Sequence, residues 1–439
     1  MDIESVIRRD DVLSAVTWRT EVETLFPESW LFVGHAAEVP EPGNYVTRMM
    51  ANDPVILVRA HSGELRVLLN SCAHRGTQLC RADVGATSHF KCMYHGWTYD
   101  TDGRLRGVPG LRQWYQPDFD RAQHSLRSAR VEVFHDLVFA TWQLDGPSLT
   151  DYLGDFAFYL EALMARSTAG WEVVGEPLRW VSQTNWKISV ENFGMDSLHL
   201  GTLHENPGRL GIFGGTDQEP LAITSVCQNG HGIEATKFMD SGDDRAFPGY
   251  PEELWEDFVA NLSDDQAWFV ANNLVCKGNI FPNLSFIDLF HDYTGDPSTP
   301  PAVAAKMLRL VRPTGPLSSE VWMWILVPRD APEQWKRWSQ ESLVRTLGVS
   351  GTFEPDDLEN TAAISSANSG SVAQRWNMLF LAGEHLKPSA TVEGRQLPGE
   401  VFVCSANTES MQRGFYREWR TRMSSAATPD RAGVGGDAS

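Results

Sequence analysis

Two short stretches in the first quarter of the chain each combine one cysteine with one histidine. The first is C-A-H-R-G at residues 72–76, and the second is C-M-Y-H-G-W at residues 92–97. Thiolate sulfur and imidazole nitrogen are both common metal ligands in proteins. The sequence therefore predicts a metal site whose four ligands are Cys72, His74, Cys92 and His95.

The mixed composition of each pair indicates what this site binds. In a Rieske [2Fe–2S] centre, two cysteines hold one iron and two histidines hold the other. Zinc sites, which are the alternative, more often place both cysteines in one pair and both histidines in the second. Gly76 and Gly96 also fit tight loops that turn backbone amides toward cluster sulfurs. The pattern favours a Rieske centre.

A second candidate metal site lies about a hundred residues downstream. Residues 185–199 read as a helix that runs on to His204, and Asp196 and His199 share one face of it. His204 can join His199 on one metal only if the helix ends, tightens or bulges, with Gly201 as the expected weak point. Two imidazoles and a carboxylate would form the facial triad of non-haem Fe(II) oxygenases. Either histidine alone would more simply be a satisfied core or surface residue.

The two cysteine–histidine motifs resemble the Rieske domain of aromatic-ring-hydroxylating oxygenases, in their large (alpha) subunit. The resemblance extends over residues 17–420, with the Asp196–His204 segment as its second motif. It implies an α+β protein with a small all-β Rieske domain and a larger catalytic domain. In that second domain, helices would cover an antiparallel sheet.

The resemblance also assigns roles to residues around the second site. Asp357 would be the third iron ligand, with Asp356 as the reserve choice, although two acids in a first helical turn can also serve the helix dipole. Asn192 would lie close to the iron. Asp196 would accept hydrogen bonds from His199 and from His95 of an adjacent chain, which implies a ring of three chains. The alternative for Asp196 is that it orients His199 within its own chain.

The implied activity is that of a terminal oxygenase in aromatic hydrocarbon catabolism. It would activate O2 at a mononuclear Fe(II) and cis-dihydroxylate an aromatic ring. Electrons from NAD(P)H would arrive through a separate reductase, often with a ferredoxin, since no G-x-G-x-x-G motif follows a strand here. A small beta subunit is a further expected partner.

Other functions are compatible with the same residues. A Rieske monooxygenase or demethylase would use the same two metal sites. An electron-transfer protein would use only the Rieske centre, leaving His199 and His204 with structural roles. Phe193, Met195 and Leu200 lie beside the candidate ligands and are predicted to line an apolar substrate pocket, although they could equally be core residues.

The elements that must position these residues divide the chain into four parts. Residues 1–38 are predicted to be a helical segment packed on the catalytic domain, and residues 39–148 the Rieske domain. Residues 149–423 would form the catalytic domain, and residues 424–439 a disordered tail.

Within the Rieske domain, alternating apolar residues predict a hairpin at 55–69 and a last buried strand at 137–142. In the catalytic domain, helices are predicted at 152–164, 333–347 and 408–423. Strands are predicted at 178–181, 280–287, 307–311 and 321–327, the last two as neighbours.

Composition limits the cellular setting. The chain has 439 residues, 42% of them hydrophobic, which is enough for two cores. A net charge of −20 argues against binding nucleic acid or anionic membranes. No stretch is long and apolar enough to span a bilayer, and no signal peptide is recognisable. Six cysteines without a framework spacing indicate reduced thiols and a cytoplasmic protein. Docking of an acidic ferredoxin would depend on a local basic patch.

Overall fold

The computed structural model describes residues 5–209, 221–237, 245–291, 303–404 and 408–426. A small β-rich domain lies in the first third of the chain, and a larger domain is built on a nine-stranded sheet. This arrangement confirms the predicted α+β class. Among the described residues, no helix has the length and apolar character needed to cross a membrane.

The N-terminal segment is helical as predicted, but it ends in a strand. Its elements are β1 (Val6–Arg8), α1 (Arg9–Leu13), α2 (Ala15–Thr20), a π-helical turn (Glu21–Leu25), α3 (Phe26–Glu28) and β2 (Leu31–His35). Strand β2 contains most of the apolar run at residues 30–33. Its Phe32 packs edge-on against Trp324 of the large sheet, with ring centroids 5.1 Å apart. The strand therefore joins the two domains.

Three small antiparallel sheets form the first domain. Its strands are β3 (Asn44–Met50), β4 (Asp53–Arg59), β5 (Leu65–Leu69), β6 (Val84–Ala86), β7 (His89–Lys91), β8 (Thr98–Asp100), β9 (Leu105–Gly107), β10 (Arg130–Phe134) and β11 (Leu137–Thr141), with a short helix α4 (Leu111–Trp114). The sheet orders are β5-β4-β3-β6, β7-β8-β9 and β10-β11-β2. The pairing of β4 with β5 and the buried strand β11 confirm the predicted hairpin and last strand.

The large domain is organised by a long antiparallel sheet. Its strands are β12 (Trp171–Val173), β13 (Leu178–Ser182), β14 (Leu221–Val226), β15 (Gly232–Lys237), β16 (Asn273–Ile280), β17 (Leu284–His291), β18 (Val303–Gly315), β19 (Ser318–Pro328) and β21 (Glu400–Cys404). The order is β12-β19-β18-β17-β16-β15-β14-β21, and β13 also pairs with β19, whereas β20 (Asn377–Leu379) pairs with β1. Strands β18 and β19 pair directly, as predicted for neighbours.

Helices cover both faces of this sheet. They are α5 (Leu149–Leu153), α6 (Phe156–Met164), α7 (Trp186–Gly194), α8 (Glu205–Arg209), α9 (Trp255–Ala260), α10 (Asp264–Val270), α11 (Glu333–Thr346), α12 (Glu354–Asn368) and α13 (Ser410–Ala426). Phe193 of α7 packs with Ile287 and Met307 on one face. Phe156 of α6 packs with Phe286 on the other. Successive strand residues alternate between the faces, so both are apolar and buried.

Three predicted elements differ in their bounds. The helix predicted at 152–164 is broken at Gly154, whose φ of +51° interrupts α5 and α6. The strand predicted at 280–287 is two strands, because β16 ends at Ile280 and β17 begins at Leu284. Helix α13 continues to Ala426, so residues 424–426 of the predicted tail are helical. Residues 427–439 of that tail lie outside the described residues.

Candidate metal centres

The helix that carries the second candidate site ends earlier than its sequence predicts. Helix α7 begins where the Asn185 side chain accepts a hydrogen bond from Lys187 N at 3.0 Å, and it ends at Gly194. A Cβ at Gly194 would lie 2.9 Å from the carbonyl oxygen of Gly278 and 2.8 Å from Ser285 Oγ. Only glycine allows this approach of the helix end to β16 and β17. The predicted run of the helix to His204 is therefore wrong, because the α-helix ends at Gly194 and a tighter 3-10 turn ends at Gly201.

This early break determines how the ligands converge. Asp196 follows the helix in irregular backbone, and His199 lies in a 3-10 turn (Leu198–Gly201). His204 immediately precedes α8, so the two histidines are not on one continuous helix. Their ring centroids are 5.2 Å apart at an interplanar angle of 71°. On a regular helix, His199 and His204 would point in different directions because they are five residues apart. The turn between them brings their side chains together instead.

Three ligand atoms meet at one point beside β16. His199 Nε2 lies 3.5 Å and His204 Nε2 lies 3.2 Å from the same oxygen, Asp357 Oδ1. One ligand atom from each of the three residues lies within 4.8 Å of the others. Ligands at right angles around one ion, each about 2.1 Å from it, are about 3 Å apart. The arrangement fits a divalent metal, and two imidazoles with one carboxylate suit iron(II).

The two acids of the Asp356-Asp357 pair occupy different positions. Both lie in the first turn of α12, and the Asp357 side chain is 9% exposed whereas the Asp356 side chain is 47% exposed. Within the described part of the chain, the one ion-pair contact of the Asp356 carboxylate is with His204 Nδ1, at 3.7 Å. Burial raises the pKa of the Asp357 carboxyl, but contacts with His204, His199 and Asn192 outweigh this and lower it. Asp357 is thus the ionised carboxylate at the point of convergence.

Asn192 and Asp196 hold the candidate ligands in orientation. Asn192 Nδ2 donates to Asp357 Oδ1 at 3.2 Å, from α7 to α12. Asp196 Oδ2 lies 3.3 Å from His199 Nδ1, the ring nitrogen on the far side from Asp357. Burial raises the pKa of Asp196, but the opposing contacts, chiefly with His199, together have the larger effect, so the pKa lies below its ordinary value. A carboxylate behind a histidine fixes its tautomer and leaves Nε2 free to bind metal.

A buried polar network below this centre was not predicted. Lys277 of β16 is 4% exposed and donates from Nζ to the Asp196 carbonyl oxygen at 2.7 Å. Ser197 Oγ donates to Glu234 Oε1 of β15 at 2.5 Å. Strands β15 and β16 thus hold the backbone that follows the helix break. The available signal was the lysine that directly follows the apolar run Leu274-Val275-Cys276.

A second unpredicted pair supports α12. Arg309 of β18 donates through both terminal nitrogens to Glu354, at 2.7 and 2.8 Å, and both side chains are buried. The guanidinium also lies over the Phe193 ring, 4.5 Å from its centroid. Burial raises the pKa of Glu354 to about 7, while Arg309 opposes this rise. Because Glu354 and Asp357 are three apart on α12, this bidentate pair fixes the turn that carries the ligand.

The three predicted pocket residues lie in different surroundings. Phe193 is packed against Arg309 and the sheet. Met195 is fully buried in a core shared with Trp186. Leu200 is 41% exposed. Their assignment to one substrate pocket stays a prediction.

The first candidate site consists of two loops with the same backbone design. In the first loop, Cys72 N donates to Thr77 O at 2.9 Å and Gly76 N to Cys72 O at 2.8 Å. In the second, Cys92 N donates to Trp97 O at 2.8 Å and Gly96 N to Cys92 O at 3.0 Å. The two glycines have φ angles of +75° and +72°, which L-side chains rarely adopt. The loops therefore present their cysteine and histidine in equivalent ways.

The side chains of these loops meet at their tips. The His74 and His95 rings are 4.6 Å apart, and both cysteines are buried. Tyr99 OH lies 3.3 Å from Cys72 Sγ and accepts from Ala73 N at 3.1 Å. His74 Nδ1 is buried and has no hydrogen-bond partner among the described residues. An unpartnered ring nitrogen beside two thiols is what a metal cluster would satisfy.

Backbone amides in the second loop favour a thiolate. Burial raises the pKa of the Cys92 thiol, but hydrogen bonds from the backbone at Tyr94 and His95 more than offset it, and the pKa is lowered. The Trp97 ring stacks on His74 at 4.8 Å with an interplanar angle of 7°. The donors and their burial fit a Rieske cluster with two thiolate and two imidazole ligands.

Comparison with known proteins agrees with both centres. Residues 29–130 match the Rieske [2Fe-2S] domain family, and residues 165–425 match the family described as ring hydroxylating alpha subunit (catalytic domain). The chain is 33% identical to the biphenyl 2,3-dioxygenase subunit alpha of Rhodococcus jostii (strain RHA1), covering 93% of this chain and 86% of that protein. It is 32% identical to the N,N-dimethyl phenylurea N-demethylase subunit alpha of Sphingobium sp. (strain YBL2), covering 93% and 89%.

A solved structure shows the same fold. Naphthalene 1,2-dioxygenase from Rhodococcus sp., bound to indole, superposes with a TM-score of 0.89 at 34% identity, over 95% of this chain and 94% of that one. The two matched domains imply a Rieske cluster and a mononuclear iron as cofactors, with NAD(P)H acting through a separate reductase. The chain belongs to the alpha subunits of the Rieske ring-hydroxylating oxygenases.

Proposed function

We propose that this protein is a terminal oxygenase that cis-dihydroxylates an aromatic ring with both atoms of O2. The observation that carries the oxygenase part of the proposal is the convergence of His199 Nε2 and His204 Nε2 on Asp357 Oδ1. The similarity to biphenyl and naphthalene dioxygenases supports dihydroxylation as the reaction. Three protein ligands on one side of a metal leave positions for dioxygen and substrate. When bound there, iron(II) supplies the activation of dioxygen, and the Rieske cluster supplies electrons.

The ligand assignments are part of this proposal. Cys72, His74, Cys92 and His95 would hold the cluster, and His199, His204 and Asp357 the iron. Asn192 keeps the Asp357 carboxylate in place by its hydrogen bond. Asp196, whose Oδ2 lies 3.3 Å from His199 Nδ1, would hold the proton of His199 on that nitrogen. The aromatic substrate would bind beside Phe193, on the face of the sheet that also carries Met307.

We further propose that the active molecule is a ring of three chains in which each cluster serves the iron of its neighbour. The Asp196 side chain is 27% exposed, and Leu198 and Leu200 beside it are 43% and 41% exposed. On the second Rieske loop, Met93 and Tyr94 are 79% and 62% exposed. These two apolar surfaces would meet across a subunit interface and place His95 of one chain near Asp196 of the next.

The remaining components follow from the same assignment. A reductase and a ferredoxin would deliver electrons from NAD(P)H, and a small beta subunit would complete the assembly. Since the four cysteines outside the cluster, Cys80, Cys227, Cys276 and Cys404, are thiols rather than disulfides, we place the protein in the reducing cytoplasm.

A second candidate reaction is oxidative N- or O-demethylation. The relative from Sphingobium is an N-demethylase subunit and matches this chain over the same length as the dioxygenases. Both reactions need the same two metal centres, so the ligand geometry supports either one. The product distinguishes them.

Metal analysis tests the two-centre arrangement. Anaerobically purified protein should contain three irons and two acid-labile sulfides per chain. The variant His199→Ala/His204→Ala should fall to two irons and keep the Rieske absorption spectrum. His385→Ala, a change of an exposed histidine, is the control and should keep three. If wild type and variant both contain two irons per chain, there is no mononuclear iron site, and the protein would be an electron carrier.

Isotope labelling tests the reaction. With reductase, ferredoxin and ¹⁸O2, a panel of aromatic hydrocarbons and N-methylated arenes is screened by mass spectrometry. Two ¹⁸O atoms in one cis-dihydrodiol support dihydroxylation. A single ¹⁸O in a phenol, or formaldehyde release from an N-methyl group, would replace the proposal with the monooxygenase reaction.

A further inference from the structure

The Rieske loops lie in a basic part of an acidic protein. Residues 72–130 contain nine Lys and Arg and five Asp and Glu, a net charge of +4, whereas the whole chain carries −20. The local sign of charge at the cluster is thus opposite to that of the rest of the molecule. Such an asymmetry steers the approach of an oppositely charged partner.

An aromatic path leads from one cluster ligand to this basic surface. The His74 ring stacks on Trp97, and Trp97 contacts Phe119 at 5.8 Å and Tyr115 at 6.3 Å between ring centroids. Trp97 Nε1 also donates to Tyr115 OH at 3.2 Å. Trp97 is 3% exposed, whereas Tyr115 and Phe119 are only partly buried. The path therefore runs from a half-buried ligand, through the buried Trp97 ring, to solvent.

Residues 104–121 include two of the rings that cover Trp97, and they carry four arginines. We call the solvent side of this segment the arginine face: Arg104, Arg106, Arg112, Arg121 and Trp114. All four arginines are exposed, and only two acids, Asp118 and Asp120, lie in the same stretch.

Within this face, only part of the positive charge is compensated. Arg106 pairs with Asp100 at 2.6 Å, and Arg121 donates to the Arg106 carbonyl oxygen at 2.8 Å. Among the described residues, Arg112 forms no ion pair. Trp114, on the same short helix, is 77% exposed. An exposed tryptophan among cations is typical of a protein interface.

We propose that the arginine face is the docking site for a small acidic iron–sulfur protein, which passes one electron by way of Trp97 and His74 into the Rieske cluster. The inference rests on the proposed function and specifies its electron-donor site. The reduced donor loses one electron, the oxidised cluster gains it, and no bond is made or broken. Trp114 supplies apolar contact, and the arginines supply attraction.

A second copy of this chain would be the competing occupant, since the rest of the chain is acidic. The two histidine ligands point to separate roles. His95 contacts Tyr94 at 3.8 Å on the exposed second loop, which is the surface proposed above for the neighbouring chain. His74 instead contacts Trp97, under the arginine face. The His74 ring therefore has a contact with the covered Trp97 that the His95 ring lacks, and the arginine face is left for the donor.

Stopped-flow reduction of the cluster tests the proposal. The probe is an acidic plant-type [2Fe–2S] ferredoxin, whose potential lies below that of Rieske centres. It is reduced beforehand and mixed with oxidised full-length protein without substrate. For Arg112→Glu/Arg121→Glu, we expect the second-order rate constant at low salt to fall at least about tenfold, with a weaker salt dependence. Binding of oxidised ferredoxin, measured by calorimetry, should weaken in parallel.

Matched variants identify the cause of any change. Arg337→Glu/Arg345→Glu on α11 alters the net charge equally at exposed positions and should leave the rate unchanged. Arg112→Glu alone should give an intermediate rate. Because the Arg112 side chain forms no ion pair among the described residues, this single variant tests the proposal even if the double variant misfolds. Reduction by dithionite should be equal in all proteins.

Three results would overturn the docking site. They are unchanged ferredoxin kinetics in the double variant, an equal loss in the α11 control, or loss of the trimer in the double variant, which would assign the face to a second copy. Because this assay needs no substrate, failure to form product from chemically reduced enzyme would count against the proposed function alone.

Discussion

A single carboxylate oxygen organises the candidate iron site. Asp357 Oδ1 is approached by two imidazole nitrogens and by the Asn192 amide, all within 3.5 Å. The nearby Asp356 differs from it by one residue in sequence but faces largely into solvent. The two acids therefore form a matched pair for testing the third ligand.

Asp357→Asn should abolish the mononuclear iron, whereas Asp356→Asn should retain it. The amide keeps the shape of the side chain but removes the charge that a hard divalent cation requires. We expect Asp357→Asn to contain two irons per chain and to lose oxygenase activity by at least about a thousandfold, with an unchanged Rieske spectrum. Iron analysis with electron paramagnetic resonance measures both. Loss of iron from Asp356→Asn alone would move the ligand to that residue.

Residue types and spacing predicted six of the seven candidate ligands, because each cysteine–histidine pair and the two iron-site histidines lie within a few residues of each other. The seventh, Asp357, is distant in sequence and was predicted from the family resemblance alone. Lys277 and Glu234 could not be found this way, since their partners Asp196 and Ser197 come from distant elements. Only the register of β15 and β16 turns both side chains toward the helix break. Long-range packing, rather than a local pattern, sets this part of the site.

At the scale of elements, one buried ion pair ties the site helix to both ends of the chain. Lys187 on α7 pairs with Glu21 of the π-helical turn, and neither side chain is exposed to solvent. The same carboxylate accepts from Trp186 Nε1 and from Trp419 Nε1 of α13, each at 2.8 Å. Three helices therefore share one anion, and α7 is held by it at the end opposite Gly194.

Lys187→Met should destabilise the protein strongly. It leaves the Glu21 carboxylate buried without its cation, which costs about 3–5 kcal/mol. The double variant Lys187→Met/Glu21→Gln should recover part of the loss, because a neutral amide still accepts from a tryptophan. Thermal unfolding followed by circular dichroism gives the comparison. A double variant less stable than the single one would show that the charge is not the cause.

The sequence predicted several long helices and strands of the catalytic domain but missed breaks that tertiary contacts impose. Gly194 was read as one residue of a longer helix, yet its contact with the carbonyl oxygen of Gly278 ends that helix. Nothing local to residues 185–204 signals this approach. The helix predicted at 152–164 likewise divides at a glycine with positive φ.

His231 makes the packing of three elements dependent on pH. Its Nε2 donates to Tyr152 O at 2.8 Å, and its Nδ1 accepts from Phe281 N at 2.9 Å, so the neutral ring satisfies both. Burial lowers the pKa of His231 to about 4. A second proton would place two donors against each other at Phe281. The folded state therefore resists protonation that the unfolded chain accepts near pH 6.5.

Stability should consequently fall as the pH drops below 6.5. Between the unfolded pKa of about 6.5 and the folded value, the unfolded state binds the extra proton, which costs about 2 kcal/mol of stability by pH 5. His231→Gln should be less stable at pH 7 yet lose less on acidification. Apparent melting temperatures from pH 7 to 5 report both effects, with His385→Gln as the exposed control. Parallel pH profiles for wild type and His231→Gln would contradict this assignment.

At the scale of the whole molecule, the two metal centres lie in separate domains. Among the described residues, the aromatic rings that contact His74 and His95 are their own two rings, Tyr94 and Trp97, all in the Rieske domain. Asp196, behind the candidate iron ligand, is partly exposed instead of being covered by its own Rieske domain. A partner chain that covers Asp196 would give electrons a short route that a single chain does not offer.

Mixed assemblies test whether electrons cross between chains. One variant, Cys92→Ser, lacks a competent cluster, and the other, His199→Ala, lacks the iron. Each should be inactive alone. When they are co-expressed in equal amounts and assemble at random in a ring of three, one directed contact in four joins an intact cluster to an intact iron, so about a quarter of wild-type activity should return. Transfer within one chain would restore none, because every chain has one defective centre. Activity is measured per total protein, and mass spectrometry checks the subunit ratio. The recovered fraction therefore distinguishes transfer between chains from transfer within one chain, without any structural assumption about the interface.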